Sequence, residues 1–240
     1  MHLIIDIGNT QTKIALFEQN SFISHQFVET PELKTQLEQI LVNHSITASI
    51  LSSVVGSLPE IELLLASKTK SFIFNHKTPI PITNKYLTPK TLGLDRLANA
   101  IALSKQFPRQ NAMSIDIGTC IKFDFVSQKG HYLGGSISLG LLMRYQALSF
   151  YTAKLPELNP IENPLLIGTN TQKSIHSGVL LGMQSEIEGI ISRYSVQYSE
   201  LKVVLTGGDH NYFAEAFKNS IFARPNLTLE GLNEVLLFNE

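Results

Sequence analysis

The 240-residue sequence is short of several features, and each shortage argues against a class of protein. A single cysteine, Cys120, cannot form an internal disulfide, which suits a reducing compartment rather than a disulfide-stabilised secreted domain. No apolar run is long enough to span a bilayer, and no basic segment with a cleavable apolar stretch precedes the first predicted strand. We therefore expect a cytoplasmic protein with no membrane partner.

An excess of charge of one sign is also missing. Lys and Arg number 19 against 20 Asp and Glu, the net charge is -1, and no run of like charges occurs, so no nucleic-acid partner is expected. The 7 histidines lack the paired spacing of a structural zinc site. Apolar residues make up 43% and charged residues 16%, which is ordinary for a globular chain that folds on its own. Small-molecule chemistry is therefore the expected function.

The first distinctive stretch is an apolar run that ends in an acidic, glycine-containing turn. Residues 3–7 are too few for a helix, and residues 13–17 are again extended and apolar, which predicts a β-hairpin. Gly8 lets the backbone approach a ligand, and the amides and hydroxyls that follow it can donate to phosphate oxygens. Asp6 lies where it can face a metal ion. A plain turn accounts equally well for one copy of this pattern.

A second copy of the pattern favours the functional interpretation. Residues 114–120 repeat it with Asp116, Gly118 and Thr119, and an extended segment again follows. Two such hairpins suggest an internal duplication, and strands alternate with helices along the chain. The sequence thus predicts an α/β protein with two domains, residues 1–110 and 111–240, which flank a nucleotide and its magnesium.

Between the hairpins, residues 93–96 (Gly-Leu-Asp-Arg) lead into an Ala- and Leu-rich helix. An N-cap aspartate followed by a solvated arginine is the simpler interpretation of Asp95 and Arg96. The preceding Pro-rich loop around Tyr86 favours a substrate wall, with both side chains pointing at the substrate. Glycine-rich edges at residues 134–140 and 206–208 have the same two interpretations, a plain turn or a close approach to a ligand.

These motifs, taken in order with Thr171, resemble those of the type III pantothenate kinases, and the match covers essentially the whole chain. The resemblance implies the actin-like ATPase fold, with two ribonuclease-H-like domains around a cleft, usually in a homodimer. It implies ATP-dependent phosphorylation of pantothenate, which opens coenzyme A synthesis, with magnesium and a monovalent cation, potassium or ammonium, as cofactors.

The resemblance also implies roles for individual residues. Asp95 is similar to the general base of the family, and Asp116 to its monovalent-cation ligand, while Asp6 lies on the magnesium side. The implied ATP contacts are Asp6, Gly8, Asn9, Thr10, Thr12, Lys13 and Thr119. The implied pantothenate contacts are Tyr86, Gly93, Leu94, Arg96 and Thr171, the last of which reaches across the dimer.

Two positions depart from the family pattern. Lys122 stands where a small hydroxyl residue is common, and Leu139 where proline usually follows the glycine-rich segment. These departures bear on cation coordination and loop shape.

Two other functions stay open from the sequence alone. One is a kinase of a sugar, acetate or another small alcohol, because the fold alone does not determine the substrate. The other is a nucleotide-binding regulator that has lost catalysis.

Overall fold

A computed structural model describes residues 1–8, 11–217 and 221–240. The chain forms two compact units. The first unit comprises Met1–Pro108, Gly130–Leu133 and Asn226–Glu240, and the second unit comprises Arg109–Lys129 and Gly134–Pro225. The sequence-based division at residues 110 and 111 assigns the C-terminal segment to the second half, whereas the structure packs that segment within the first unit.

The first unit is built on a five-stranded sheet. Its strands are β1 (His2–Ile7), β2 (Thr12–Glu18), β3 (Ser21–Val28), β4 (Ala48–Ser53) and β5 (Lys70–Ile73), in the order β3-β2-β1-β4-β5. Its helices are α1 (Leu33–Asn43), α2 (Pro59–Lys68), α3 (Leu94–Gln106) and the C-terminal α7 (Leu227–Asn239). Strands β1 and β2 form the predicted hairpin, while β4 and β5 extend the sheet in parallel on the other side of β1.

Alternation along β1 decides which side chains face which helices. Leu3, Ile5 and Ile7 belong to an aliphatic core with Leu37 of α1 and Leu65 of α2. Because successive strand residues point to opposite faces, Asp6 lies on the other face of the sheet. That is the face of α7, since His2 Nδ1 lies 3.1 Å from Asn233 Oδ1. The carboxylate therefore emerges on the sheet face opposite α1 and α2.

Helices α3 and α7 pack closely on that second face. A Cβ added at Gly231 of α7 would lie 1.9 Å from the Ala98 carbonyl oxygen of α3, so only glycine allows this approach. The Thr228 hydroxyl donates to Asn99 Oδ1 at 2.8 Å. The crossing holds α3, whose first turn carries Asp95, against the first unit.

The second unit repeats this arrangement. Its strands are β7 (Ala112–Ile117), β8 (Cys120–Val126), β10 (Lys202–Thr206), β11 (Phe222–Ala223) and, from Gly134 on, β9 (His131–Leu139). The first residues of β9 belong to the first unit and pair there with the short β6 (Thr83–Asn84). The sheet order is β11-β10-β7-β8-β9-β6. Its helices are α4 (Leu141–Phe150), α5 (Thr171–Gln197) and α6 (Asn211–Phe217).

Both sheets place the first strand of a hairpin between its antiparallel partner and a parallel strand. In the first unit β1 lies between β2 and β4, and in the second β7 lies between β8 and β10. The shared topology supports the internal duplication that the two hairpin motifs predict. The core of the second unit differs in being rich in aromatic residues, among them Phe123, Phe125, Tyr145, Phe213 and Phe217.

Two details of the helices differ from the sequence expectation. The helix predicted to run from Leu141 to Leu155 ends at Phe150, so the residues before Pro156 are not helical. Helix α5 is capped by Asn170, whose side chain accepts a hydrogen bond from the Lys173 amide at 2.9 Å, rather than by Thr169 or Thr171. Among the described residues, no helix combines the length and the apolar character needed to cross a bilayer.

Candidate functional site

The first hairpin carries the predicted phosphate-binding residues of the first unit. Four residues separate the paired Ile7 and Thr12, and the Gly8 amide donates to the Gln11 carbonyl at 3.1 Å. Asp6, at the end of β1, lies opposite Lys13 of β2 and beside Ser52 of β4. Asn9 and Thr10 lie outside the described residues. The structure thus places Asp6, Gly8 and Lys13 on one strand-turn-strand element.

Two residues of β2, Thr12 and Lys13, are suited to contact an anion. The Thr12 side chain is fully buried, and its hydroxyl has no hydrogen-bond partner in the part of the chain that the structure describes. An unpaired buried hydroxyl carries a free-energy cost that a phosphate oxygen would remove. Lys13 Nζ lies 5.8 Å from the centroid of the Phe27 ring, which holds a positive charge beside the turn.

The first turn of α3 presents the predicted catalytic carboxylate. Gly93 is the N-cap, Leu94 begins the helix and Asp95 follows. A Cβ on Gly93 would lie 2.5 Å from Asp95 Oδ1, so glycine leaves room for that carboxylate. The interpretation of Asp95 as the N-cap is wrong. The first-turn position still stabilises its negative charge, because the helix dipole is positive there.

Arg96 is buried rather than solvated, with only 4% of its surface exposed, so the simpler interpretation of this arginine is also wrong. Its Cζ lies 5.7 Å from the centroid of the Tyr86 ring, in cation–π geometry. Tyr86 in turn stacks on Tyr132, with centroids 6.1 Å apart, and its amide donates to Asn84 Oδ1 at 2.9 Å. Two predicted substrate residues, Tyr86 and Arg96, are therefore in contact within the first unit.

The second hairpin has a shorter connection and a different charge arrangement. Three residues separate the paired Ile117 and Ile121, and the Gly118 amide donates to the Cys120 carbonyl at 3.1 Å. Asp116 pairs directly with Lys122 across the two strands, and Lys122 Nζ lies 2.8 Å from Asp116 Oδ2. The residue expected to bind a monovalent cation is thus paired with an ammonium group of its own chain.

Two glycines hold the turn of this hairpin. A Cβ on Gly140 would lie 2.2 Å from the carbonyl oxygens of both Gly118 and Thr119. A Cβ on Gly207, whose φ is +93°, would lie 2.3 Å from the Ile117 carbonyl oxygen and 2.5 Å from Asp116 Oδ1. The glycine-rich edges that the sequence identified therefore pack on the second hairpin and leave Thr119 exposed beside it.

The segment that follows β10 also forms a hydrogen bond to the second hairpin. The Asp209 amide donates to the Ile117 carbonyl at 2.9 Å, and His210 Nδ1 donates to the Gly207 carbonyl at 2.7 Å. Burial raises the pKa of the Asp209 carboxyl above its usual value, and the neighbouring His210 partly offsets that effect. The carboxyl group beside the glycine edge therefore holds its proton more tightly than a solvated aspartate does.

Thr171, the remaining predicted substrate residue, belongs to the second unit. It is the first residue of α5 and lines a cavity of about 800 Å³ together with Leu139, Tyr151, Leu155 and Ile175. The backbone at Leu139 is fixed here, because Arg144 Nε donates to its carbonyl at 2.9 Å and Arg144 also pairs with Glu186. The lining is largely apolar.

The sequence alone did not reveal two of these relationships. Tyr132 was not recognised as the stacking partner of Tyr86, because strand β9 is distant in sequence and gives no local signal. Lys122 stands out in the sequence as a departure from the family pattern, and only strand alternation and the short turn indicate that it faces Asp116. No group of three or more possible metal-ligating side chains is found within the described part of the chain.

The two like units, each with an acidic hairpin after its first strand, define the sugar-kinase class of α/β fold. A glucokinase from an Antarctic psychrotroph has a TM-score of 0.54 and 12% identity, over 100% of this chain and 99% of that one. A Campylobacter jejuni structure described as a Baf family transcriptional activator has a TM-score of 0.65 and 19% identity, over 99% and 98% of the two chains. These likenesses confirm the predicted fold.

The family follows from more specific matches. The model of the type III pantothenate kinase family matches residues 2–193. A type III pantothenate kinase from Flavobacterium johnsoniae is 41% identical over 235 residues, which cover 98% of this chain and 96% of that protein. The chain belongs to the type III pantothenate kinase family.

Proposed function

We propose that the protein transfers the γ-phosphoryl group of ATP to the primary hydroxyl of pantothenate, the first step of coenzyme A synthesis. Family membership supports the reaction. The single observation that carries the mechanism is the first turn of α3, where Asp95 precedes Arg96 and Arg96 contacts Tyr86. A base, a cation and an aromatic ring are thus presented on one wall of the first unit.

In the proposed mechanism Asp95 accepts the proton of the attacking hydroxyl as the bond to phosphorus forms. Asp95 lies in the first turn of α3, where the positive end of the helix dipole favours a carboxylate. Gly93 keeps the space beside Asp95 Oδ1 open. General-base assistance of this kind is typically worth on the order of 10²–10⁴ in rate.

The first hairpin is proposed to hold the nucleotide. Asp6 is an oxygen ligand of the kind magnesium prefers, and one or two carboxylates plus substrate phosphates commonly hold this ion. Magnesium supplies charge neutralisation of the transferring phosphoryl group when it is bound with ATP. Gly8, Asn9, Thr10, Thr12, Lys13 and, from the second hairpin, Thr119 are the proposed contacts to the phosphates and nucleotide.

Pantothenate is proposed to bind against the first turn of α3. Arg96 would pair with the substrate carboxylate, for which a planar guanidinium is well suited. Tyr86, stacked on Tyr132 and against Arg96, fixes the orientation of that side chain. Gly93 and Leu94 would contact the substrate through the backbone at the helix start.

We propose that a second copy of the chain supplies Thr171 to the substrate site. The second unit exposes large apolar side chains, including Phe150 at 80%, Tyr151 at 81%, Leu166 at 81% and Ile167 at 74%. Exposed apolar surface of this extent is typical of an interaction site. We therefore propose a homodimer, which size-exclusion chromatography with light scattering would detect.

The proposed reaction is tested by assaying ADP release from magnesium ATP with and without pantothenate. We expect pantothenate-dependent turnover that Asp95→Asn lowers on the order of 10²–10⁴ while ATP binding is kept. Glu60→Gln is a matched control, because Glu60 also lies in the first turn of a helix in the first unit. Unchanged turnover of Asp95→Asn would remove Asp95 from the mechanism.

Two other outcomes would redirect the assignment. Turnover with a different alcohol and none with pantothenate would indicate a kinase of another acceptor. Nucleotide binding without any phosphorylated product would indicate a regulator that has lost catalysis.

A further inference from the structure

The site that the family resemblance assigns to a monovalent cation already contains a positive charge. Asp116 and Lys122 face each other across β7 and β8, and the ammonium nitrogen lies 2.8 Å from Asp116 Oδ2. Both side chains are largely buried, with 11% of Asp116 and 18% of Lys122 exposed. A dissociable potassium ion at the same oxygen would have to displace this ammonium, so the residues present do not fit it.

The fold keeps the ion pair in place. Ile115, Ile117, Ile121 and Phe123 belong to the apolar core of the second unit, so strand alternation puts Asp116 and Lys122 together on the opposite face of the sheet. Gly207 packs against Asp116 Oδ1, because a Cβ added to this glycine would lie only 2.5 Å from that oxygen. One carboxylate oxygen thus faces glycine backbone while the other accepts from Lys122.

The chemistry of the two cations is closely similar. A lysine side chain ends in an alkylated ammonium ion, which carries one positive charge and donates charge-assisted hydrogen bonds to carboxylate and phosphate oxygens. Because the group is tethered, its local concentration does not depend on the salt in solution. The charge that offsets repulsion between Asp116 and the triphosphate is therefore permanently present.

We propose that Lys122 replaces the monovalent cation, so that phosphoryl transfer by this protein requires neither potassium nor ammonium. The inference rests on the proposed function, because it concerns the cation dependence of that reaction. It also gives the departure at residue 122 a chemical meaning: a lysine replaces a small hydroxyl residue together with the ion beside it.

The experiment compares pantothenate-dependent rates in potassium, ammonium, sodium and tetramethylammonium chloride at constant ionic strength. Tetramethylammonium is too large to replace a coordinated ion. We expect equal rates of the natural protein in all four salts. Lys122→Ser should lose turnover on the order of 10² in tetramethylammonium and recover part of it in potassium, ammonium or methylammonium chloride.

Lys105→Ser provides the matched control, because Lys105 also forms an ion pair, with Glu234 at 2.9 Å, but is 58% exposed and belongs to α3 of the first unit. Its rates should show no dependence on the salt. Lys122→Arg keeps the charge and should remain active without potassium.

Thermal unfolding gives a second measurement that does not depend on turnover. A cation that binds only the folded state raises Tm. Potassium should therefore raise the Tm of Lys122→Ser above its value in tetramethylammonium, and should leave the Tm of the natural protein unchanged. If Lys122→Ser does not fold, Lys122→Arg and the natural protein still provide the salt comparison.

The outcomes separate the two proposals. Potassium-dependent turnover of the natural protein would overturn the replacement of the cation and leave the kinase assignment intact. Salt-independent rates in both the natural protein and Lys122→Ser would also overturn it, since no cation would then be needed. Absence of pantothenate-dependent turnover in every salt would instead overturn the proposed function.

Discussion

The two hairpins share a sequence pattern but differ in loop length and in the partner of the lysine. In the first, four residues separate the paired strand ends, and Lys13 lies over the Phe27 ring. In the second, three residues separate them, and Lys122 bonds to Asp116. Each lysine occupies the register position opposite the motif aspartate. The two hairpins therefore have the same register, whereas each lysine contacts a different group.

The surroundings of the two turns explain the difference. Gly140 and Gly207 pack against the second turn, and a Cβ added to either glycine would overlap the backbone of that turn. At the first turn, a Cβ on Gly8 would lie 3.0 Å from the Gln11 carbonyl oxygen. The second hairpin is thus a tightly packed element with an internal ion pair.

The largest effect should come from the acid of the first hairpin. We expect Asp6→Asn to lower kcat on the order of 10² or more, because it removes the carboxylate that we propose to position magnesium against the phosphoryl group. Steady-state kinetics with a magnesium titration would measure it. Unchanged kcat would mean that the first hairpin has no more than a structural role, and the functional contrast between the hairpins would be lost.

The acid of the second hairpin should matter more for stability. Asp116→Asn leaves the Lys122 ammonium without its carboxylate in a largely buried position, which should cost about 2–4 kcal/mol of unfolding free energy. Urea denaturation of Asp116→Asn and Asp6→Asn would compare the two sites. Equal losses of unfolding free energy would show that the Asp116–Lys122 ion pair stabilises the fold no more than Asp6 does.

Packing on the two turns can be compared with glycine substitutions. Gly140→Ala should cost about 2 kcal/mol, because its Cβ would meet two backbone oxygens at 2.2 Å. Gly8→Ala should cost less, since the Gln11 carbonyl needs to shift by only a few tenths of an ångström. Gly189→Ala in α5, where a Cβ has open space, should instead stabilise the protein by about 0.5–1 kcal/mol. Calorimetric or urea measurements that ranked Gly8→Ala as the more damaging change would contradict this picture.

The smallest effect concerns the aromatic core behind the second hairpin. The Tyr145 hydroxyl lies 2.9 Å from His176 Nδ1, and burial, with a smaller contribution from Tyr212, raises the pKa of Tyr145 to about 12. Tyr145→Phe should cost about 1 kcal/mol at neutral pH through loss of the hydrogen bond.

The raised pKa of Tyr145 makes the unfolding free energy depend on pH. Between the usual tyrosine pKa near 10 and the raised value of about 12, the folded state binds more protons than the unfolded state. Stability should therefore fall as pH rises through this range, and it should fall less in Tyr145→Phe. Urea unfolding of both proteins at pH 9 and pH 11 measures the difference. Identical pH dependence would mean that Tyr145 titrates alike in both states. The described residues of the aliphatic cluster around Leu37 and Leu65 in the first unit include no tyrosine, and this cluster should contribute no such dependence.

Much of the architecture was predictable because its signals are local. Apolar runs ending in Asp-Ile-Gly at residues 6–8 and 116–118 indicated both hairpins, and their repetition indicated two like units. Leu33 and Leu37 at helical spacing predicted α1, whose buried face they form. These patterns need only the backbone period and turn chemistry, which neighbouring residues determine. The motif order likewise sufficed to predict the family.

Contacts between distant segments were decided by tertiary structure. The stacking of Tyr132 on Tyr86 joins strand β9 to the Pro-rich loop, and Arg96 of α3 contacts Tyr86. The need for glycine at residue 231 arises where α7 crosses Ala98. The need for glycine at residue 207 arises where the end of β10 meets the second hairpin. A sequence specifies which conformations a residue tolerates locally. The distance between two packed backbones arises only when the whole core forms, so glycine is required at Gly231 and Gly207 by contacts that no local pattern shows.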